Sequence, residues 1–168
     1  MKKLYKTGDK IVEGGEVFRI FKIEDIKIEG KKQRLIHYKP FFPKSDSPDA
    51  VYSIPEKSIK ETSIRRPLSK KELKEILDEL KKKGKPAVAL DINDAKEVLK
   101  ECEINNIVAL IKTLWVEKKA GEDSFTKSRS NVFEAAVDTL YQEFAFVNNI
   151  TLEKASDKIY AALKASGK

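Results

Sequence analysis

The stretch Arg-Arg-Pro-Leu-Ser-Lys-Lys-Glu at residues 65–72 separates two kinds of sequence. Before it, short runs rich in β-branched and aromatic residues end at glycine or proline, which is typical of β-strands. After it, apolar residues recur at intervals of three and four, which is typical of amphipathic helices. The chain of 168 residues is therefore expected to be an α+β protein with a domain boundary between residues 66 and 67.

The residues after this boundary predict an all-α bundle of about five helices over residues 67–168. Ser69 and Glu72 have the spacing of a capping box at the start of the first helix, and Gly84 with Pro86 is expected to end it. The apolar stripes that predict the helices contain Leu73, Ile76, Leu77 and Leu80; Ala95, Val98, Leu99 and Cys102; Ile107, Leu110, Ile111, Leu114 and Trp115; Phe133, Ala136, Val137, Leu140, Tyr141, Phe144 and Val147; and Leu152, Ala155, Ile159 and Leu163.

The residues before the boundary predict five short strands. In the second strand the alternation of apolar residues changes phase between Ile20 and Ile26, which indicates a bulge or a sharp bend. Five short strands in about sixty residues favour a small SH3/Tudor-like β-barrel over residues 1–66 more than a flat sheet. Residues 56–59 are expected to add one helical turn. The predicted strands are residues 10–12, 17–28, 33–38, 51–54 and 61–64.

The net charge of +7 is unevenly distributed along the chain. Residues 1–66 hold 16 basic and 10 acidic residues, whereas residues 67–168 hold 18 basic and 17 acidic residues. Two windows, residues 30–45 and residues 81–90, contain no acidic residue. Such clusters can follow nucleic-acid phosphates, but lysine-rich surfaces also keep proteins in solution, so charge alone leaves both interpretations open. The basic residues of the windows are Lys31, Lys32, Arg34, Lys39 and Lys44 in the first and Lys81, Lys82, Lys83 and Lys85 in the second.

The sequence contains no motif that predicts catalysis, a metal site or a cofactor. One cysteine and one histidine cannot form a His/Cys metal cluster, and the chain has no glycine-rich phosphate-binding motif. Cys102 completes an apolar stripe and is expected in the core, and His37 is expected to be structural or interfacial. We therefore expect neither an enzyme nor a small-molecule substrate.

The chain is expected to be soluble and cytoplasmic. The basic residues near the N-terminus precede no apolar run, so a signal peptide is not predicted. No stretch approaches the roughly 18 apolar residues that a membrane-spanning helix needs. A membrane is therefore not an expected partner.

Three further features are candidates for binding. Phe41 and Phe42 lie in a proline-rich loop, where exposure and packing over the end of the barrel are equally compatible with the sequence. Trp115 continues an apolar helical stripe, so a core position is favoured over a surface contact. Lys127 and Arg129 lie at the start of the fourth predicted helix, where backbone N–H groups also favour a phosphate, although a solvated helix start requires no function.

Short motifs in both halves of the chain, taken together, resemble one known family. Residues 5–12 read Tyr-Lys-Thr-Gly-Asp-Lys-Ile-Val, residues 51–55 read Val-Tyr-Ser-Ile-Pro, residues 105–115 end in Leu-Trp, and residues 140–145 read Leu-Tyr-Gln-Glu-Phe-Ala. Their order and spacing are similar to those of CarD-like bacterial transcription regulators. The N-terminal motifs also resemble the polymerase-interacting domain of the transcription-repair coupling factor, whereas the helical motifs favour CarD.

The resemblance implies a transcription regulator with two contacts. The barrel binds the β-subunit of RNA polymerase by adding its sheet edge to that of the partner, and the helical domain lies on duplex promoter DNA and steadies the open complex. The arginines that face polymerase in well-studied members align here with Ile26 and Ser53, and the tryptophan that wedges the minor groove aligns near Val88. The residues expected to bind polymerase are Ile26, Lys27, Ile28, Val51, Tyr52 and Ser53, and those expected to bind DNA are Lys81, Lys82, Lys83, Lys85, Val88, Lys127 and Arg129.

Two other functions remain open at this point. The first is a protein–protein adaptor whose helical half docks another protein and never meets DNA, which the near-neutral charge of that half favours. The second is an RNA-binding or ribosome-associated factor, which would also explain the basic N-terminal half.

Overall fold

A computed structural model of the chain describes residues 4–84, 91–121 and 125–166. The chain divides into two compact units, Met1–Pro67 and Leu68–Lys168. The first unit contains a β-sheet and a short 3-10 helix and the second contains α-helices, in keeping with the predicted α+β class. The sequence places the boundary one residue earlier, between residues 66 and 67.

The first unit contains an antiparallel sheet of four strands in the order β1-β2-β3-β4. Two-residue turns join the first three strands, at Gly14-Gly15 and at Glu29-Gly30. All four turn residues have positive φ, which is the conformation that a type I′ hairpin turn requires. The elements are β1 (Lys10–Glu13), β2 (Glu16–Ile28), β3 (Lys31–Pro40), β4 (Tyr52–Pro55) and the 3-10 helix Glu56–Glu61.

Strand β2 contains the bulge that its change of phase predicts. Ile20 pairs with Tyr38, but Lys22 pairs with His37, so Phe21 is an extra residue on β2. A bulge of this kind shifts the alternation by one residue. Ile23 therefore packs on the same face as Ile20, whereas Ile26 and Ile28 lie on the opposite face.

The core of this unit lies on one face of the sheet, which we call the inner face. Phe18 and Tyr38 pack edge to face there, with ring centroids 5.2 Å apart. The buried core residues are Ile11, Phe18, Ile20, Ile36, Tyr38, Ile59 and Ile64. The opposite side, which we call the outer face, carries by register Lys22, Glu24, Ile26 and Ile28 of β2, Gln33, Leu35 and His37 of β3, and Ser53 and Pro55 of β4.

The prediction of a fifth strand at residues 61–64 is wrong. The 3-10 helix continues into this segment, and the Thr62 hydroxyl then donates to the Ile59 carbonyl at 2.6 Å. The same hydroxyl accepts from the Ile64 N–H at 3.1 Å. These local bonds use backbone groups that a strand would offer to the sheet.

The described residues do not show the closed barrel that the sequence predicts. Beyond the turn, Arg65 makes a single antiparallel bridge to Val12 of β1. The sheet of the first unit is therefore open, with four strands and one bridge.

The second unit has five helices within its described residues, which agrees with the number of apolar stripes. Ser69 caps the first helix by accepting from the Glu72 N–H at 3.1 Å, as the capping box predicts. The helices are α1 (Lys70–Lys81), α2 (Ile92–Glu101), α3 (Ile104–Ala120), α4 (Lys127–Asn148) and α5 (Leu152–Ser166). Across the described ranges, none of the helices is long and apolar enough to span a membrane.

The predicted stripes supply the core of the second unit, although some of their residues are only partly buried, namely Leu77, Val98, Leu99, Tyr141, Val147 and Leu152. Trp115 is 5% exposed and its ring stacks on Phe133 with centroids 5.9 Å apart, which confirms the predicted core position. Cys102 is half-buried and ends α2 in the left-handed conformation, with φ of 53°. Its predicted place in the core stripe is wrong, because the helix stops at Glu101.

Candidate functional site

The two edge strands of the sheet, β1 and β4, differ in whether another segment pairs with their free side. The free side of β1 is occupied by Arg65, whose N–H and carbonyl bond to Val12 at 3.0 and 2.8 Å. Within the described residues, β4 forms no backbone bond to any segment outside the sheet and the 3-10 helix that follows it. An edge strand in this state offers N–H and C=O groups to another strand. We call the unpaired side of β4, which points away from β3, the open edge.

Exposed apolar side chains lie at the start of the open edge. Val51 is 61% exposed and Tyr52 is 46% exposed. The Tyr52 ring stacks on Tyr38 and packs edge to face on Phe18, with centroids 5.6 Å away in both cases. These contacts hold the ring in one orientation while half of it faces solvent.

The residues predicted to bind polymerase lie on both faces of the sheet. The register places Ile26, Ile28 and Ser53 on the outer face and Tyr52 with Lys27 on the inner side. Only the β4 residues lie at the open edge, because β2 is separated from β4 by β3. Tyr52 and Ser53 belong to that strand, Val51 directly precedes it, and all three are exposed.

His37 connects β2 and β4 on the outer face. Its Nδ1 lies 2.6 Å from Oγ of Ser53, and its Nε2 lies 2.7 Å from Oε1 of Glu24. Lys22 is a second partner of Glu24, at 3.3 Å. The hydrogen bond from His37 is the larger cause, and Lys22 the second, of a pKa of Glu24 below its usual range. The sequence does not indicate this cluster, because the pairing of His37 with Ser53 depends on the register of β3 and β4.

The basic window at residues 30–45 is partly neutralised by the fold. Arg34 and Lys44 each form an ion pair with a glutamate from outside the window, at 3.3 Å in both cases. Lys31 and Lys32 lie at the end of the β2–β3 hairpin and are exposed. The exposed positive charge of this window is therefore concentrated at the hairpin tip.

Two of the lysines predicted to bind DNA pair with acidic residues of α1. Lys82 lies 3.2 Å from Glu79, and Lys81 lies 4.0 Å from Asp78. Lys83 is exposed and has no ion-pair partner in the described part of the chain. Of these three lysines, Lys83 is the cation most available to a phosphate.

The two basic residues at the start of α4 also differ in whether they form an ion pair. The Arg129 guanidinium lies 3.2 Å from the Glu117 carboxylate, and both side chains are largely buried, at 18% and 14% exposure. Lys127 is exposed at the first position of the helix. Lys85 and Val88, the other two residues predicted to bind DNA, lie outside the described residues.

A groove of about 840 Å³ lies between α1 and α3 in the second unit. Its apolar lining includes Leu68, Ile76, Ile104, Val108 and Ala109. Its charged lining consists of Glu72, Glu75 and Glu79 along α1 and of Lys82, Lys83 and Lys112 toward the end of α1 and on α3. The sequence does not predict the groove, because it depends on how two helices pack.

No protein-family model matches the chain, and no curated protein matches it.

Proposed function

We propose that the protein is a CarD-like transcription regulator that binds the β-subunit of RNA polymerase through its sheet and duplex promoter DNA through its helical unit. It acts by binding, without catalysis and without a cofactor, and it modulates the stability of the open complex. In this proposal the sheet is part of an SH3/Tudor-like barrel, which the bridge between Arg65 and Val12 supports. The open edge of β4 is the observation that carries the proposal.

The open edge supports polymerase binding by strand addition. A strand that joins a sheet edge gains main-chain hydrogen bonds, and neighbouring side chains give the contact its specificity. Arg65 occupies the opposite edge, so β4 is the edge available to a partner strand in the described sheet. Val51 and Tyr52 add exposed apolar surface beside it, and aromatic residues are enriched in protein interfaces.

The outer face extends this proposed contact. Ser53 lies on β4 next to His37, so a strand that pairs with β4 meets both residues. Ile26 and Ile28 lie two strands away and contact a partner only if it also covers the outer face. Lys27 contributes charge from the other side of the same strand.

Exposed lysines support the proposed contact with DNA. Lys83 and Lys127 are exposed and unpaired within the described residues, so phosphates can approach them without breaking an ion pair. Lys81 and Lys82 contribute less, because Asp78 and Glu79 compete with the phosphates. Lys85, Val88 and Arg129 complete the surface that the sequence predicts.

Binding of the full-length chain to purified RNA polymerase core enzyme tests the polymerase contact. Ser53→Glu is expected to weaken binding about tenfold or more, because it places a charge without a partner in the interface. Ile26→Glu is expected to have a smaller effect, because Ile26 lies away from the open edge. Ser63→Glu is the matched control, since Ser63 is exposed and lies two residues from the bridge at the opposite edge. Equal binding by all three variants, or no binding by the wild type, would overturn the proposal.

The adaptor is the second candidate, and the ion pairs of the helical unit favour it. Three of the basic residues predicted to bind DNA already have carboxylate partners within the unit, namely Lys81, Lys82 and Arg129. A surface with few unpaired cations suits a protein partner better than a phosphate backbone. A pull-down from the source cell distinguishes the two candidates by whether polymerase subunits or other proteins are enriched.

A further inference from the structure

We propose that the groove between α1 and α3 binds one amphipathic helix of a partner protein, with a cation of that helix against Glu75 and a carboxylate against Lys83. The proposal rests on the second unit alone. It is tested without polymerase or DNA, and it shares Lys83 with the proposed DNA contact.

The construction of the groove favours a helical occupant over an extended one. Its two walls are helices, whose backbone N–H and C=O groups already bond within α1 and α3. An extended segment in the groove would find no backbone partners for its own polar groups. A helix satisfies those groups internally and needs only an apolar strip, which is how amphipathic helices bind in grooves.

The floor of the groove provides that strip. Ile76 and Val108 are packed into the unit, with 9% and 5% exposure, and their accessible atoms lie along the groove. Ala109 is exposed on α3, and its small side chain leaves room for the side chains of an approaching helix. Apolar residues of the partner at intervals of three and four would cover this floor.

One end of the groove is bounded by the chain that leaves α1. A Cβ atom at Gly84 would lie 3.0 Å from Cγ2 of Val116 and 3.1 Å from the carbonyl oxygen of Lys112. The backbone at Gly84 is therefore pressed against α3, and this contact limits how far an occupant extends in that direction.

Two of the six charged groups in the groove have neither an ion pair nor a side-chain hydrogen bond among the described residues. Glu79 is occupied, because it bonds to Lys112 at 2.9 Å and to Lys82 at 3.2 Å, and the bond from Lys112 is the larger cause of its lowered pKa. Glu72 accepts from the hydroxyl of the capping serine at 3.1 Å. Glu75 and Lys83 remain, one on α1 and one just after its end.

The positions of these two charges define the partner. Glu75 lies on α1, and Lys83 lies two residues beyond the last residue of that helix, Lys81. A helix lying along the groove meets both charges when it carries a lysine or arginine toward one end of its contact surface and an aspartate or glutamate toward the other. Opposite charges placed in this way fix the direction and register of the bound helix.

The same charges disfavour a nucleic acid in the groove. The lining holds three glutamates and three lysines, so its formal charge is zero. A phosphate backbone in the groove would lie against the glutamates of α1, and it gains affinity only where cations replace its counterions.

Site-specific cross-linking of the full-length protein in the source cell tests the proposal. A photoreactive benzoylphenylalanine replaces Ala109 in the groove, and the matched control carries it at Ala161, an exposed alanine of α5 outside the groove. We expect a protein cross-link from position 109 that is absent from position 161. The cross-linked segment, identified by mass spectrometry, should combine an apolar helical stripe with a cation and a carboxylate at opposite ends of that stripe.

A synthetic peptide of the captured segment then tests the charges. The peptide should gain helical circular dichroism on binding to the wild-type protein. Glu75→Arg should weaken its affinity about tenfold, and reversal of the peptide's cation to glutamate should restore binding to that variant. Thermal melting of the variant controls for folding, which an exposed substitution on α1 leaves intact.

Several outcomes would overturn the proposal. They are the absence of a cross-link above the Ala161 control, capture of a nucleic acid or a small molecule, a bound peptide that stays extended, and equal affinity of the wild type and the Glu75→Arg variant. A pocket of about 840 Å³ also has room for a small molecule, and capture of one would replace the helix as the occupant.

Discussion

Oε2 of Glu143 accepts a hydrogen bond from the backbone N–H of Leu68 at 2.7 Å, although Glu143 is only 1% exposed. A buried carboxylate of α4 thereby holds the residue that begins the helical unit, ahead of α1. The buried Glu143 carboxylate needs a hydrogen-bond donor, so this part-buried bond fixes the start of the unit more firmly than a surface contact would.

Glu143→Ala is expected to destabilise the helical unit by roughly 1–3 kcal/mol, because it removes the acceptor of the part-buried Leu68 N–H. Glu143→Gln keeps an acceptor oxygen at the same position and is expected to lose less stability than the alanine variant. Urea denaturation followed by circular dichroism measures both variants against the wild type. A glutamine variant as unstable as the alanine variant would show that the carboxylate acts in another way.

Trp115→Ala is expected to destabilise the protein by roughly 3–5 kcal/mol, because it removes a buried aromatic ring and leaves a cavity beside Phe133. Trp115→Phe is the matched variant, and it is expected to destabilise the protein less than Trp115→Ala. It keeps an aromatic ring in the stack, and Nε1 of Trp115 has no hydrogen-bond partner in the described structure to lose. Thermal melting and DNA binding are measured together. An alanine variant that melts like the wild type and yet fails to bind DNA would place Trp115 at the surface.

His37→Gln is expected to raise the pKa of Glu24 toward its ordinary value of 4.5, because the histidine hydrogen bond is the larger cause of the lowered pKa. Lys22→Gln is expected to raise it less, because Lys22 is the second cause. Carboxyl ¹³C NMR titration of the wild type and both variants measures the pKa of Glu24. A larger change in the pKa of Glu24 in the Lys22→Gln variant than in the His37→Gln variant would contradict the hydrogen bond between His37 and Glu24 as the larger cause.

The direction of the pH dependence follows from the same shift. A carboxyl group whose pKa is lower in the folded state stabilises the fold at pH values above its unfolded pKa. The contribution of Glu24 is therefore present above about pH 4.5 and is lost as the pH falls through the lowered folded value. The His37→Gln variant should lose this part of the acid dependence.

The helices were predictable because their signals are local. The three- and four-residue spacing of Leu73, Ile76 and Leu80 marks one face of α1, and all three side chains are buried. The serine before the helix caps it through a bond that the capping-box pattern anticipates. The bulge in β2 was predictable for the same reason, because it changes the alternation within one strand.

The parts of the candidate sites that the sequence missed depend on contacts between distant segments. The pairing of His37 with Ser53 needs the register across the β3–β4 loop, and the pairing of Arg129 with Glu117 needs the packing of α3 on α4. The ion pair between Lys82 and Glu79 is different. It joins residues three apart at the end of α1, so the sequence alone was sufficient to find it.

The ion pairs of the described residues rank the lysines that are proposed to contact DNA. Lys83→Glu and Lys127→Glu are expected to weaken binding to promoter DNA about equally for all sequences, because phosphate contacts do not read bases. Each lost phosphate contact should flatten the slope of log K against log salt by about 0.9. Lys82→Glu should have a smaller effect on the slope, because Glu79 already competes for its ammonium group at 3.2 Å.

A salt titration of binding to an upstream-fork promoter duplex measures these slopes, with thermal melting to verify folding. Lys158→Glu is the matched control, because Lys158 is an exposed lysine of α5 that lies outside both the groove and the proposed DNA surface. Arg129→Glu should instead lower the melting temperature, because it breaks a largely buried pair with Glu117 and sets two carboxylates against each other. Unchanged slopes for Lys83→Glu and Lys127→Glu would move the DNA surface away from both helix ends. No DNA binding by the wild type, alone or with polymerase, would leave the adaptor as the function of the helical unit.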